Sequence, residues 1–131
     1  MVRPLLSIFF LISSFLIPVQ FQADLINEVA QNFKTGNSNE IAKSFNTSVE
    51  LGISDESDVY SKAQAQQILR DFFSKHVPVG ASVIHVINTN PNYQIGILAL
   101  STKSGKFRVT VTFKKTSGSF FITELRIDPD K

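Results

Sequence analysis

Val59-Tyr60-Ser61-Lys62-Ala63-Gln64-Ala65-Gln66-Gln67-Ile68-Leu69-Arg70-Asp71-Phe72-Phe73 is the stretch that decides the fold. Ser61 and Gln64 stand at capping-box spacing, in which the hydroxyl accepts an orphan amide of the first turn and the glutamine reaches back to the cap. Ala65, Ile68, Leu69, Phe72 and Phe73 then fall at i, i+3, i+4, i+7 and i+8, one apolar stripe of helical period. Gln67, Arg70, Ser74 and Lys75 point away from it. Such a helix must bury two phenylalanines, and the β-type sequence that follows is the only large apolar surface on offer.

Downstream, Val77-Pro78-Val79-Gly80 stops the helix. Four strands are predicted over residues 82–88, 93–102, 107–114 and 120–127, separated by short polar turns at 89–92, 103–106 and 116–119. The third is the clearest, with Phe107, Val109, Val111 and Phe113 on one face and Arg108, Thr110, Thr112 and Lys114 on the other. In the fourth, Phe121, Leu125 and Ile127 alternate with Glu124 and Arg126. Connections this short make an antiparallel meander.

Upstream, Asp24 is placed as the cap of a helix running to about Thr35, with Leu25, Ile26, Val29, Ala30 and Phe33 on one face. Gly36 suits the left-handed position that ends helices. A short helix restarts at Asn37-Ser38-Asn39 and turns Ile41, Ala42 and Phe45 inward; Asn46-Thr47-Ser48 breaks it. Val49, Leu51 and Ile53 alternate as a strand, and residues 54–58 form a polar turn, with room for a short strand before the central helix. Helices segregated from an antiparallel sheet give an α+β class, with three helices on a curved sheet of five or six strands.

Residues 1–23 have the pattern of a signal peptide: Arg3 supplies the positive start, and residues 5–17 form an apolar run too short to span a membrane. Residues 24–131 then form a single exported domain, periplasmic or extracellular, without a stable membrane span. The uncleaved alternative is an N-terminal anchor. The chain has no cysteine, which excludes disulfides, thiolate metal sites and cysteine nucleophiles. A formal net charge of +2 gives no reason to invoke nucleic acid or an acidic membrane surface. Lys103, Lys106, Lys114 and Lys115 bracket one strand about 25 Å long and so form no single footprint.

The element order resembles the nuclear transport factor 2-like (cystatin-like) superfamily. Val59-Tyr60-Ser61-Lys62-Ala63-Gln64 opens the central helix in that pattern, and Phe121-Ile122-Thr123-Glu124-Leu125-Arg126-Ile127 closes the sheet. More narrowly the chain is similar to a family of small exported bacterial proteins known only as a domain of unknown function. The resemblance covers residues 24–128 and implies a cone-shaped space between helices and sheet. The superfamily includes isomerases, dehydratases, assembly modules and scaffolds, so the resemblance speaks to fold more than to function.

Proton-abstracting members of the superfamily use a carboxylate in an apolar pocket facing a hydrogen-bond donor. Glu50, Asp71 and Glu124 each fall on a polar face, where a solvated or paired carboxylate is the ordinary reading, so no catalytic set is assigned. Glu124 is expected beside Arg126 or Arg108. Tyr60, His85 and Tyr93 are the residues placed in the cavity as ligand contacts; the plain alternative for each is a tyrosine at a strand end or a core histidine bonded to backbone. His76 is expected to cap the central helix. Two isolated histidines and the acidic turn at Asp55, Glu56 and Asp58 make no metal site, and no cofactor is expected.

These readings point to an exported, non-catalytic binding or protein-interaction domain, with a small apolar ligand or an envelope protein as its partner and no nucleic acid. Two-fold pairing through the outer sheet face is expected around Arg108, Thr110, Thr112, Glu124 and Arg126. The alternative is a lyase or isomerase, or a ligand carrier, using the cavity. An interior filled by Phe33, Phe45, Phe72 and Phe73 favours the first.

Overall fold

The amphipathic and alternating patterns become three helices and six strands in the computed structural model, which describes residues 21–130. The apolar run of the signal-like segment lies outside the described residues. In chain order the elements are α1 (Phe21–Lys34), α2 (Ser38–Lys43), β1 (Phe45–Ile53), β2 (Glu56–Ser61), α3 (Lys62–Lys75), β3 (Pro78–Ile87), β4 (Tyr93–Thr102), β5 (Gly105–Thr116) and β6 (Ser119–Pro129). The strands form one sheet in the order β2-β1-β6-β5-β4-β3.

Local signals set several boundaries. Ser61 Oγ accepts the Gln64 amide at 3.2 Å, and Gln64 Oε1 accepts the Ser61 amide at 3.2 Å, so the capping box forms as read. Gly36 holds φ +66°, and the Asn37 side chain caps α2 through the Glu40 amide. The backbone is already helical at Phe21, so Asp24 lies inside α1 rather than at its cap.

Three features differ from the sequence reading. The sheet is mixed, because β1 and β6 pair in parallel while every other neighbour is antiparallel. The chain crosses from β1 to β6 through all the intervening elements, and local patterns carry no signal for that pairing. The short strand allowed before the central helix is a full edge strand, Glu56–Ser61, and it takes in part of the stretch read as a polar turn. Finally, the β5–β6 register shifts between Thr112 and Phe113. Ile122 therefore becomes fully buried, while Phe121, expected inward, pairs with Lys114 and stays half-exposed.

Between helices and inner sheet face lies one continuous core. Phe33 and Phe45 are essentially unexposed, with Phe72 and Phe73 buried beside them. Phe73 packs edge-to-face on Phe33 at 5.5 Å between centroids, and Phe72 does the same on Phe107 at 5.1 Å. These rings close the interior, joined by Leu69, Leu98, Val109 and Val111. Helix α1 is seated on β3 and β4, whereas α3 rests on α2, β1 and β2.

The α1–sheet contact is tight enough to demand glycine at one position. A methyl group at Gly96 would stand 2.6 Å from Ile26 Cγ2 and 2.7 Å from its Cδ1. Gly96→Ala should therefore cost about 1–3 kcal/mol despite the lower entropy of its unfolded state. In denaturant unfolding, Gly96→Ala with Ile26→Ala should cost less than the two single changes together, by about 0.5 kcal/mol or more. Strict additivity would mean that the two residues do not touch.

Candidate functional site

Among the described residues a concavity lies beside the phenylalanine-packed core. It arises where the β1–β2 hairpin runs past α3. Glu56, Asp58 and Tyr60 pair with Ile53, Leu51 and Val49, so the inner face of β2 is polar where that of β1 is apolar. Helix α3 cannot press a polar strand into the core, and a cleft of about 330 Å³ remains. Leu51, Ile53, Ile68 and Phe72 supply apolar walls. Tyr60, Glu56, Asp71, Lys75 and His76 supply the polar ones.

From α3 come Ile68, Asp71, Phe72 and Lys75, at i, i+3, i+4 and i+7 on one stripe. Asp71 Oδ1 accepts from Gln67 Nε2 at 3.5 Å. Among the described residues no ion pair engages Glu56, Asp71 or Lys75. His76 terminates the helix, as expected, and its amide donates to Phe72 O at 2.8 Å. Its ring lies 4.9 Å from that of Phe72 and 5.0 Å from that of Phe107, with Nδ1 2.6 Å from Ser104 Oγ. That clamp fixes the imidazole. Chemically the cleft offers two carboxylates, one ammonium and one phenol over an aliphatic floor. Among the described residues no group of His, Asp and Glu is arranged to hold a metal ion.

The three residues placed by sequence in one cavity are spread across the sheet. Tyr60 lines the cleft. Tyr93 lies four strands further along the order, at about 19 Å by strand spacing, in a recess with Ile87, Thr89, Asn90 and Ile95. His85, expected to be partly buried, is exposed, because the β3 register shifts between Val83 and His85. Glu56, Asp71 and Lys75 were not singled out for the cleft. Asp71 reads as solvated on a helical wheel, and only the fold sets the short strand before α3 opposite it.

The outer face holds Arg108, Thr110, Thr112, Glu124 and Arg126, as the alternation required. The ion pairs there are not those expected for Glu124. Arg126 meets Asp128 at 3.2 Å and Arg108 meets Asp130 at 4.0 Å, while Glu124 sits opposite Thr112 and Glu50.

The inner sheet face carries a further polar group. Gln94, in the buried row of β4 with Gly96, Leu98 and Leu100, is fully enclosed, and neither its Oε1 nor its Nε2 has a hydrogen-bond partner.

Helices laid over a six-stranded sheet, with one parallel pair beside the meander, define an α+β domain of the cystatin-like and nuclear transport factor 2-like class. Within that class the chain belongs to the family described as a domain of unknown function (DUF4783), whose pattern matches residues 26–128. A DUF4783 protein from Bacteroides uniformis is 31% identical over 80% of this chain and 96% of its own, with a TM-score of 0.76. One from Bacteroides fragilis is 29% identical over 87% of this chain and 99% of its own, with a TM-score of 0.73. A cystatin-like domain of unknown function from Nostoc punctiforme shares the fold at 8% identity, with a TM-score of 0.69 over 88% of this chain and 80% of its own. No curated protein matches the chain.

Replacing Gln94 by leucine, nearly the same size, removes two unpaired buried polar atoms. Gln94→Leu should raise unfolding stability by about 1–3 kcal/mol. A loss of that size would instead reveal that water satisfies the amide in solution.

Proposed function

We propose that this domain is an exported, non-catalytic binding module that holds a small amphipathic ligand, or a short segment of an envelope partner, in the cleft between α3 and the β1–β2 hairpin. The observation carrying this reading is the phenylalanine-closed interior. Proton-abstracting enzymes of this fold use a carboxylate enclosed in an apolar chamber, whereas among the described residues the core is packed with Phe33, Phe45, Phe72 and Phe73 and buries no carboxylate. The remaining concavity is open at the side, with Glu56, Asp71 and Lys75 exposed at its rim. Such a lining suits recognition of an apolar body bearing polar ends, with water free to enter.

Thermal unfolding in the presence of small amphipathic amines, carboxylates and zwitterions tests the cleft. A compound present at about 100 times its Kd should add about 2.7 kcal/mol of stability. Tyr60→Ala should weaken that compound on the order of tenfold, or about 1.4 kcal/mol. Chemical conversion of a bound compound, abolished by Asp71→Asn, would replace this reading with an enzyme.

Export rests on the composition of the first 23 residues, Arg3 followed by an apolar run and Ala23. Intact-mass measurement on protein from an exporting host should find a new N-terminus near Asp24, without Arg3. A full-length mass in the periplasmic or secreted fraction would favour an anchor.

A further inference from the structure

The near-neutral net charge conceals a segregation that the fold makes spatial. Residues 72–123 contain Lys75, Lys103, Lys106, Arg108, Lys114 and Lys115 and not one Asp or Glu. The rest of the chain holds seven basic residues and all eleven acidic ones. Those 52 residues build β3, β4 and β5, one half of the sheet. All six cations are exposed.

The same half carries the exposed apolar surface. Of the six large apolar side chains exposed among the described residues, Val77, Val79, Ile84, Ile87 and Tyr93 belong to β3, its approach, or the start of β4. Val79 and Ile84 sit at the two register shifts of this edge strand, where a bulge turns a side chain off the regular pleat. From residue 77 to 102 no Lys, Arg, Asp or Glu interrupts the hairpin. Register then sets cations beside it: Lys106, Arg108 and Lys114 pair with Ser101, Ala99 and Tyr93 on the outer face. Lys114 Nζ stands 6.0 Å from the centre of the Tyr93 ring, and among the described residues only Arg108 of these cations is tied to a carboxylate, that of Asp130 at 4.0 Å.

We infer that the β3–β4 hairpin and its lysine border are a docking surface for an anionic lipid bilayer. Branched aliphatic side chains with a tyrosine on a hairpin without Asp or Glu, bordered by lysines that pair with no described carboxylate, match the layered chemistry of a bilayer surface, apolar beneath and negative at the headgroups. A second copy is the poorer occupant, because hairpin-to-hairpin pairing would set one cationic half against another. Nucleic acid is poorer still, since the two exposed aromatic rings of the hairpin, His85 and Tyr93, are too few for a stacking platform. The four lysines are too far apart for one footprint, and the hairpin carries no Lys, Arg, Asp or Glu. The fold places the second between the ends of the first.

The test uses protein recovered from an exporting host, mixed with phosphatidylcholine vesicles with and without phosphatidylglycerol and then sedimented. The protein should favour the phosphatidylglycerol vesicles, and the preference should fade towards about 1 M salt, where the Debye length falls to about 3 Å. Lys106→Glu with Lys114→Glu should reduce that partition about tenfold or more while far-UV circular dichroism and Tm stay unchanged. Ile84→Ser with Ile87→Ser should reduce it as well, with those side chains already exposed and the fold retained. Equal partition onto both vesicle types, or charge-reversed protein that binds as the parent does, would overturn the proposal; the second result would place attachment in the shared N-terminal segment. A stable dimer that the Ile84 and Ile87 changes dissociate would overturn it in favour of a second copy.

Discussion

Two adjacent phenylalanines at the end of α3 hold the domain shut. Phe73 turns back onto Phe33 of α1, and Phe72 reaches across to Phe107 of β5, so one helical turn ties both helix layers to the sheet. Burying an aromatic side chain contributes roughly 1.5–3 kcal/mol, and edge-to-face pairing adds about 0.5–1.5 kcal/mol. The capping box at the other end of α3 sets where that turn arrives, because it fixes the first helical residue at Lys62. The same rings also position His76, whose imidazole lies against Phe72 and Phe107. Functional possibilities follow from this closure. On the proposed reading, recognition falls to the rim and to the outer surface.

Polar residues are distributed around the core unevenly, and each unevenness leaves a usable surface. A polar inner face on β2 keeps α3 at a distance and opens the lateral cleft. The uncharged β3–β4 hairpin leaves the far edge apolar, guarded by bulges rather than by charge. The β2 edge takes the opposite course, being short and bearing Glu56 and Asp58. One sheet thus has an acidic edge and an apolar edge with cations beside it.

Much of the fold was legible because it is encoded locally. The capping box, the left-handed Gly36, the four-strand meander and the inward residues of β5 all follow from short-range spacing. What could not be read is nonlocal or deliberately ambiguous. Parallel pairing of β1 with β6 joins segments some seventy residues apart, and no turn announces it. The bulge near Thr123 swaps the faces of Phe121 and Ile122, although both are hydrophobic and either could have gone inward. The candidate site suffered more, because Asp71 and Glu56 look like ordinary solvated carboxylates until β2 is known to stand opposite α3. Tyr60, His85 and Tyr93 were grouped on the assumption of a central cavity, which the phenylalanines fill.

The central physical claim is that, among the described residues, the phenylalanine-packed core around Leu69, Leu98 and Val111 holds no ligand-sized space apart from the lateral cleft beside it. Titration with benzene or xenon, followed through the NMR signals of core methyl groups, measures this directly, since dry apolar cavities take up both. Closure predicts that the methyls of Leu69, Leu98 and Val111 stay unshifted while any weak response is confined to Leu51, Ile53 and Ile68 around the lateral cleft. Saturable shifts at Leu69, Leu98 and Val111 would contradict it, and would return the search for function to the interior.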